Sequence, residues 1–421
     1  MIKAPVTSEE LEKRADDYIL QPWATKYSES QRLYDENKDE TYRTNYRRDR
    51  DRILYSKAFR RLQYKTQVLV NSAGDHYRTR LTHTLEVQQL AMSIADALGA
   101  NRDLSEAIAV GHDLGHTPFG HAVERTLNNK LLSLGEGGFS HAIQSVRYVE
   151  HLDSHCGKEG LNLSIQVREG ILKHDTDVFA SNYSDNQIKQ WDCTHLSPCI
   201  PGSIEAQIVY WADKIAYLSH DWDDFIDSGI RQEAIDQGIE GVYELEELLK
   251  SLITESDNPG DLRDLIRNIH TQLIKDTFIA LNSHEIKKSK DIIDITTKKM
   301  EDLKYYEGGD INKKDIFINS LTVNFSNDYR NRFLEARKLL GKIYSQSPTV
   351  ARMDEKAEYM IEKIFDKYVS KPNLLPWKTQ NTIRQKKNKY RVIADHISCM
   401  SDRYAYKIFE ELFLSGGVLY K

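Results

Sequence analysis

Three histidines, an aspartate and a glutamate fall within the fourteen residues GHDLGHTPFGHAVE, from Gly111 to Glu124. Burying an unpartnered imidazole or carboxylate costs free energy, so such a cluster has to be solvated, mutually paired or bound to something. Two chemistries suit it. Neutral imidazoles and ionised carboxylates bind divalent ions, and an imidazole oriented by a carboxylate serves as a general acid or base. His112 and His116 stand four apart, as two zinc-protease ligands do on one helix face, but Asp113 occupies the place of the protease glutamate, and Pro118 with Gly120 ends the helix. The protease reading is therefore discounted. The same two breakers set a turn that presents His121 together with Glu124, an acid or base with its orienting partner.

Metal ligands have to converge from elements rigid enough to hold them. In LTHTLEVQQLAMSIADALG the apolar residues Leu81, Val87, Leu90, Ile94, Ala95 and Leu98 recur every three to four positions, which predicts a helix stopped by Gly99 with His83 one turn inside it. His112 and Asp113 follow the apolar run LSEAIAVG near the end of a second helix. Asp213 lies within a third, SIEAQIVYWADKIAYLSHDWDDFIDSG, capped by Ser203 and stopped by Gly229. His83, His112, Asp113 and Asp213 would form a mixed nitrogen and oxygen site suited to Mn, Fe, Ni, Zn or Mg rather than a thiolate-selective one. Asp213, Tyr217 and Asp221 step by four and drift only about 80° around the helix, so they share a face. With Lys214 flanking it, that face could hold a ligand bearing hydroxyls and phosphates. Taken singly, each residue is more readily structural than functional; taken together they are hard to dismiss.

The rest of the chain narrows the class. It has 421 residues, 40% hydrophobic and 29% charged, with 58 Lys plus Arg against 64 Asp plus Glu for a net charge of −6. A polyanion-binding surface covering the whole protein is thereby excluded, and any nucleotide or nucleic-acid site has to be local. No signal-peptide pattern opens the sequence and no apolar run nears the ~20 residues of a membrane helix, which leads us to expect a cytoplasmic protein. Its four cysteines read as free thiols; Cys193, His195 and Cys199 are poorly spaced for zinc and read as a reduced loop.

Periodicity is helical nearly throughout, including GFSHAIQSVRYVEHL and SPTVARMDEKAEYMIEKIFDKYV, while QVLVNSAGDHYRTR, residues 67–80, reads as a small hairpin with His76 near its tip. His174 in GILKHD reads as a capped helix end, with an approach to the site or to a second ion as the alternatives. We expect an all-α fold: a helical extension over 1–44, a core carrying the chemistry over 45–230, and a helical C-terminal region over 231–421. Within the last, PNLLPWKTQNTIRQKKNKYR concentrates six basic residues from Lys378 to Arg391, either a solvated linker or a nucleic-acid contact.

His83, the HD pair His112 and Asp113, and Asp213 resemble the metal ligands of the HD phosphohydrolase superfamily. RDRDRILYSKAFRRLQYKTQV, GDHYRTRLTHTLEV, HDLGHTPFGHAVE, ADKIAYLSHDWDD and ISCMSDRYAYKIFEEL are similar, in that order from about Arg47 to Leu412, to the motifs of its deoxynucleoside triphosphate triphosphohydrolase branch, the dGTPase-like enzymes. The resemblance implies an HD-domain helical core and a divalent metal ion, Mn or Mg foremost, with Fe, Ni, Zn or Co as alternatives. It implies hydrolysis of a dNTP, with dGTP a common preference, to deoxynucleoside and tripolyphosphate. On matching positions, His83, His112, Asp113 and Asp213 would hold the ion. His116, His121 and His141 would surround the scissile phosphoester, with His121 the proton donor and Glu124 orienting it. Arg80 and Lys214 would meet phosphate, and Gln67, Tyr217 and Asp221 the sugar. Ala142 and Lys214 depart from residues common in bacterial relatives.

A homo-oligomer and a nucleotide activator at a second site are further implications of the resemblance. A phosphodiesterase or pyrophosphohydrolase of another nucleotide is the alternative within the superfamily. Outside it stands a nucleic-acid-binding regulator with a vestigial HD site, using Arg47 to Arg52 and the later basic strip for single-stranded DNA.

Overall fold

The computed structural model describes residues 5–35, 42–67, 78–253, 262–306, 312–386 and 388–414. Helix accounts for about 72% of the chain. The only sheet among the described residues is a two-stranded antiparallel one, β1 (Ser154–His155) with β2 (Lys158–Glu159), turned by Gly157. The expectation of an all-α protein is met. The hairpin expected over 67–80 lies largely outside the described residues, although the bridge from Thr66 to Thr79 brings its base together. Nothing in the sequence had pointed to the hairpin at β1 and β2.

The helices that build the site are numbered here. They are α1 (Asn45–Tyr55), α2 (Arg80–Leu98), α3 (Arg102–Gly111), α4 (His121–Ser133), α5 (His141–Arg147), α6 (Ile165–Lys173) and α7 (Ile204–Asp227). The C-terminal region adds α8 (Asn327–Gln346), α9 (Pro348–Ser370), α10 (Lys389–Ser398) and α11 (Asp402–Phe413).

Their ends follow local chemistry. Thr79 and Thr82 form a capping box at the start of α2, and Gly99 closes that helix in the left-handed conformation. The Asn101 side chain accepts from the Leu104 amide at the start of α3, and Ser203 accepts from Ala206 at the start of α7.

Helices α2, α3 and α7 pack on one another, and α6 closes against α3 and α7. Val87, Ala91 and Ile94 from α2, Leu104, Ala107 and Ile108 from α3, and Ile208, Trp211 and Ile215 from α7 are wholly buried in one core. Each large aliphatic side chain so buried contributes about 1.5–3 kcal/mol. Trp211 also donates its indole N–H to the Val323 carbonyl at 2.7 Å, fastening α7 to the C-terminal half.

A second core joins Val123, Leu127 and Leu131 of α4 to Ile361, Ile364 and Phe365 of α9 and to Ile393 and Ile397 of α10. The helix that begins at His121 therefore rests on residues more than two hundred positions downstream. The basic strip at 378–391 is not a linker: it forms the helix Trp377–Lys386 and the first turn of α10, and Arg391 turns inward to donate to the Gly138 carbonyl. No described helix is long and apolar enough to cross a membrane.

Candidate active site

The HD segment leaves α3 at Gly111 and does not continue as helix. His112 to Gly120 form successive turns, and α4 starts at His121. Two glycines make that path feasible. A Cβ on Gly115 would lie 2.3 Å from the His141 carbonyl oxygen and the Ser145 amide, so the backbone of α5 can pack on the HD turn only if residue 115 has no side chain. Gly120 holds φ +64° and ψ −141°, a conformation that an L side chain strongly disfavours. The Ser145 hydroxyl bridges the two segments, accepting from the Gly115 amide at 2.8 Å and donating to the His112 carbonyl at 2.7 Å. From the far end of the chain, the Asp402 carboxylate accepts from the amides of Thr66 and Phe119 at 2.9 and 3.0 Å. Buried Lys65 donates to the carbonyls of His116 and Ser398.

Of the four expected metal ligands, His83, His112 and Asp213 come together, and Asp113 abuts them through His112. His83 Nε2 lies 3.0 Å from Asp213 Oδ1, and His112 Nε2 lies 3.2 Å from Asp113 Oδ1 and 3.7 Å from Asp213 Oδ1. His112 Nδ1 donates to the Ala109 carbonyl at 2.7 Å, and its Nε2 is buried without a hydrogen-bond partner. His220 Nε2 contacts Glu86 Oε2 at 2.6 Å, and its Nδ1 lies 3.4 Å from His83 Nδ1. Imidazoles and carboxylates of this kind, each imidazole braced by a partner behind it, fit a divalent ion. Burial opposes ionisation of Asp113 and Asp213, but His112, His116 and Arg80 hold Asp113 well below the usual carboxylate range, and His112 and His83 do the same for Asp213.

The second imidazole group adjoins the first. Glu124 accepts from His121 Nδ1 at 3.0 Å through one oxygen and from His141 Nδ1 at 3.0 Å and the His141 amide at 2.8 Å through the other. His121 is half exposed, whereas His141 is buried and stacks on His116 with ring centroids 3.9 Å apart. Burial opposes charge on His141, yet the Glu124 carboxylate outweighs it and pushes the imidazole up to about 9. His116 is held well below its ordinary value by burial and by the cations Arg80 and His141. The two stacked imidazoles thus stand in different protonation regimes, His141 charged and His116 neutral.

The residues expected at substrate divide. Arg80 donates to Asp113 Oδ2 at 3.1 Å, while its Nη2 is buried without a partner. Gln67 is buried with neither amide atom bonded, and Asp221 with its Oδ1 unpartnered. Burial and the neighbouring Asp224 push Asp221 well above the carboxylate range, and the charge of Asp221, then burial, pushes up the Tyr217 phenol. Lys214 turns away from these groups: its ammonium lies 3.5 Å from Asp177 and 3.8 Å from the centre of the Tyr210 ring.

Several participants were not anticipated. Glu86 and His220 stand three residues after His83 and Tyr217 on helices already identified, so helical spacing could have found them. Arg337 of α8, whose guanidinium lies 5.6 Å from the centre of the Tyr217 ring, has no signal in the sequence. His195 pairs with Glu150 at 3.1 Å rather than joining Cys193 and Cys199 in a metal site. None of the four cysteines forms a disulfide.

Carboxylates and imidazoles on α2, on the turn that follows α3 and on α7, in clusters able to hold a divalent ion, define an HD-type phosphohydrolase. The comparisons agree: the HD domain family matches residues 80–218, and the phosphohydrolase-associated domain matches 323–411. Along most of its length the chain is similar to proteins named deoxyguanosinetriphosphate triphosphohydrolase-like. It is 36% identical to that of Rickettsia bellii, over 88% of this chain and 92% of the relative. For Geobacter metallireducens the figure is 39%, over 88% and 89%, and for Caldanaerobacter subterraneus 37%, over 98% and 96%. The chain belongs to this deoxyguanosinetriphosphate triphosphohydrolase-like family, a family of HD-domain nucleotide phosphohydrolases.

Two outcomes follow from the geometry. Gly115→Ala should force α5 off the HD turn, lowering the melting temperature and abolishing stoichiometric manganese binding by calorimetry, whereas Gly135→Ala, with nothing within 4 Å of its Cβ, should leave manganese binding intact. The Glu124 and His141 pair sets a pH dependence. The raised imidazole contributes stability fully below its unfolded value of 6.5 and loses it as pH rises through about 9, and the lowered carboxyl contributes above its unfolded value of 4.5. In metal-free protein the melting-temperature gap between wild type and Glu124→Gln should therefore be widest between pH 4.5 and 6.5 and close towards pH 9.

Proposed function

We propose that the protein hydrolyses deoxynucleoside triphosphates to deoxynucleoside and inorganic tripolyphosphate, with dGTP as a preferred substrate, and so lowers dNTP pools. One observation carries this reading: several buried polar atoms without a partner lie on Arg80, which pairs with Asp113, and on residues around it. Gln67 offers both amide atoms, Arg80 one nitrogen, Asp221 one oxygen and His116 its Nδ1. Each such group costs about 1–3 kcal/mol unless something bonds it. A ligand combining phosphates for Arg80 with a sugar hydroxyl for Gln67 and Asp221 meets that need. The names of the relatives point to the same substrate class.

A divalent ion held by His83, His112, Asp113 and Asp213 would supply charge neutralisation at the α-phosphate. Around it, Arg80 balances charge on the phosphate oxygens and stays fixed through Asp113. Water attacks the α-phosphorus and loses its proton to solvent, the bond from phosphorus to the 5′ oxygen breaks, and His121 donates a proton from Nε2 to that oxygen, to be reprotonated from solvent. The Nδ1 of His121 stays on Glu124 throughout, which aims the ring. His141, held by the other Glu124 oxygen, keeps positive charge beside the phosphate. Tyr217 with Gln67 and Asp221 would bound the sugar, and close packing there would exclude a 2′ hydroxyl. Lys214 reaches phosphate only if it leaves Asp177 when substrate binds.

Purified protein incubated with each dNTP and each rNTP in manganese or magnesium, with products resolved, should yield deoxynucleoside and tripolyphosphate from dNTPs alone. Monophosphate with pyrophosphate would overturn the reading. His121→Gln should lower kcat by about 10²–10⁴-fold with KM little changed, since it removes a proton donor used only in the transition state. An unchanged kcat would take His121 out of proton transfer.

A further inference from the structure

Asp177 is buried at the start of the helix Thr176–Asn182, against which the helix Lys313–Ser320 packs. Its two carboxylate oxygens face different lysines: Oδ1 lies 3.5 Å from Lys214 Nζ, and Oδ2 lies 3.4 Å from Lys314 Nζ. Burial opposes ionisation of Asp177, but Lys214, Lys314 and Arg337 outweigh it and hold the carboxyl below its usual range. Asp175 adds little to the balance, because burial and Asp177 itself push it above the carboxylate range. Three cations thus face one full negative charge. Neither lysine is fully engaged by it. A charge-assisted N–H···O bond is about 2.7–2.9 Å long, so both contacts are loose ion pairs, although each ammonium has several protons to give. The two lysines also mark a direction. Lys214 is buried and directly follows Asp213, one of the expected metal ligands, whereas Lys314 keeps 43% of its side chain exposed.

We propose that Lys314, together with Lys214, binds the terminal phosphates of the substrate, and that Asp177 holds both ammonium groups until those phosphates take its place. The inference rests on the reading that a nucleoside triphosphate lies with its α-phosphate at the HD ligands, and it adds where the remaining phosphates go. A carboxylate offers the lysines two oxygens. A terminal phosphate offers three and carries more charge, so it can bridge both ammonium groups at shorter range and displace Asp177. The exposed edge of Lys314 leaves that end of the subsite open to solvent, where a free terminal phosphate group enters. A monophosphate confined to the metal ligands would leave the Asp177 pairs closed, so the same exchange favours a triphosphate over a monophosphate.

Sodium tripolyphosphate titrated by calorimetry into chelator-stripped protein, with no divalent ion or nucleotide present, reads the subsite directly. Lys314→Gln should weaken binding about tenfold, the size of one charge-assisted contact. Lys313→Gln, at the exposed neighbouring position, should leave the affinity unchanged, and Asp177→Asn should raise it by removing the competing carboxylate. With dGTP and manganese, Lys314→Gln should raise KM about tenfold at unchanged kcat, because the lost contact is made equally in the ground state and the transition state. No tripolyphosphate binding by wild type, an unchanged affinity in Lys314→Gln, or equal losses in Lys313→Gln and Lys314→Gln would overturn the proposal. If Asp177→Asn fails to fold, the two lysine variants still decide. The result is separate from that of the product analysis: tripolyphosphate binding that depends on Lys314, without dNTP turnover, would sink the proposed function and keep the polyphosphate subsite, whereas dNTP turnover indifferent to Lys314→Gln would do the reverse.

Discussion

Everything in this structure is arranged around a confluence of carboxylates and imidazoles. Asp113, Asp213, His83 and His112 crowd together inside a helical core, each carboxylate against an imidazole. In a low-dielectric interior that crowding of ionisable groups is costly unless they are paired or bind a cation. The protein tolerates it because three packed helices and a ring of outer hydrogen bonds leave the side chains nowhere else to go. Ala109, His220 and Glu86 occupy the remaining imidazole nitrogens, and Arg80 takes the outer oxygen of Asp113.

The proton chemistry depends on the same confinement. Glu124 is buried yet ionised because two imidazoles face it, one on each side. By engaging both it divides their roles. His121 keeps an edge to solvent and can exchange protons, while His141 is enclosed and held cationic. His116, stacked on His141 and facing Arg80, is kept neutral by the charges next to it. A single carboxylate and one stacking contact thus differentiate three chemically identical rings.

The C-terminal region belongs to this machinery rather than to an appendage. Asp402 pins the backbone on both sides of the pocket, Lys65 ties the HD turn to the end of α10, and α9 with α10 forms the floor under α4. Arg337 of α8 brings a cation to Tyr217. Within the motif ISCMSDRYAYKIFEEL, Asp402 acts by holding the backbone at Thr66 and Phe119. Substitutions there should be read through the loops that Asp402 anchors.

Helix periodicity, the caps at Ser203 and Gly99, the HD pair and the four-residue steps from Asp213 to Asp221 were legible in the sequence, because they depend on local geometry with a period of 3.6 residues. The types and order of the ligands were legible too, since chemistry restricts which side chains can bind an ion. Other features depend on distances between residues far apart in the chain, which no local pattern encodes. The facing nitrogens of His141 and His174, the turn of Lys214 towards Asp177, the inward path of Arg391 and the arrival of Arg337 are all of this kind. GILKHD reads as a helix end, and it is one; only packing α6 against α5 turns that end into part of the pocket. Sequence determined which residues could do the chemistry, and tertiary packing decided which of them meet, because burial and mutual approach, not residue type, select the partner of each polar atom.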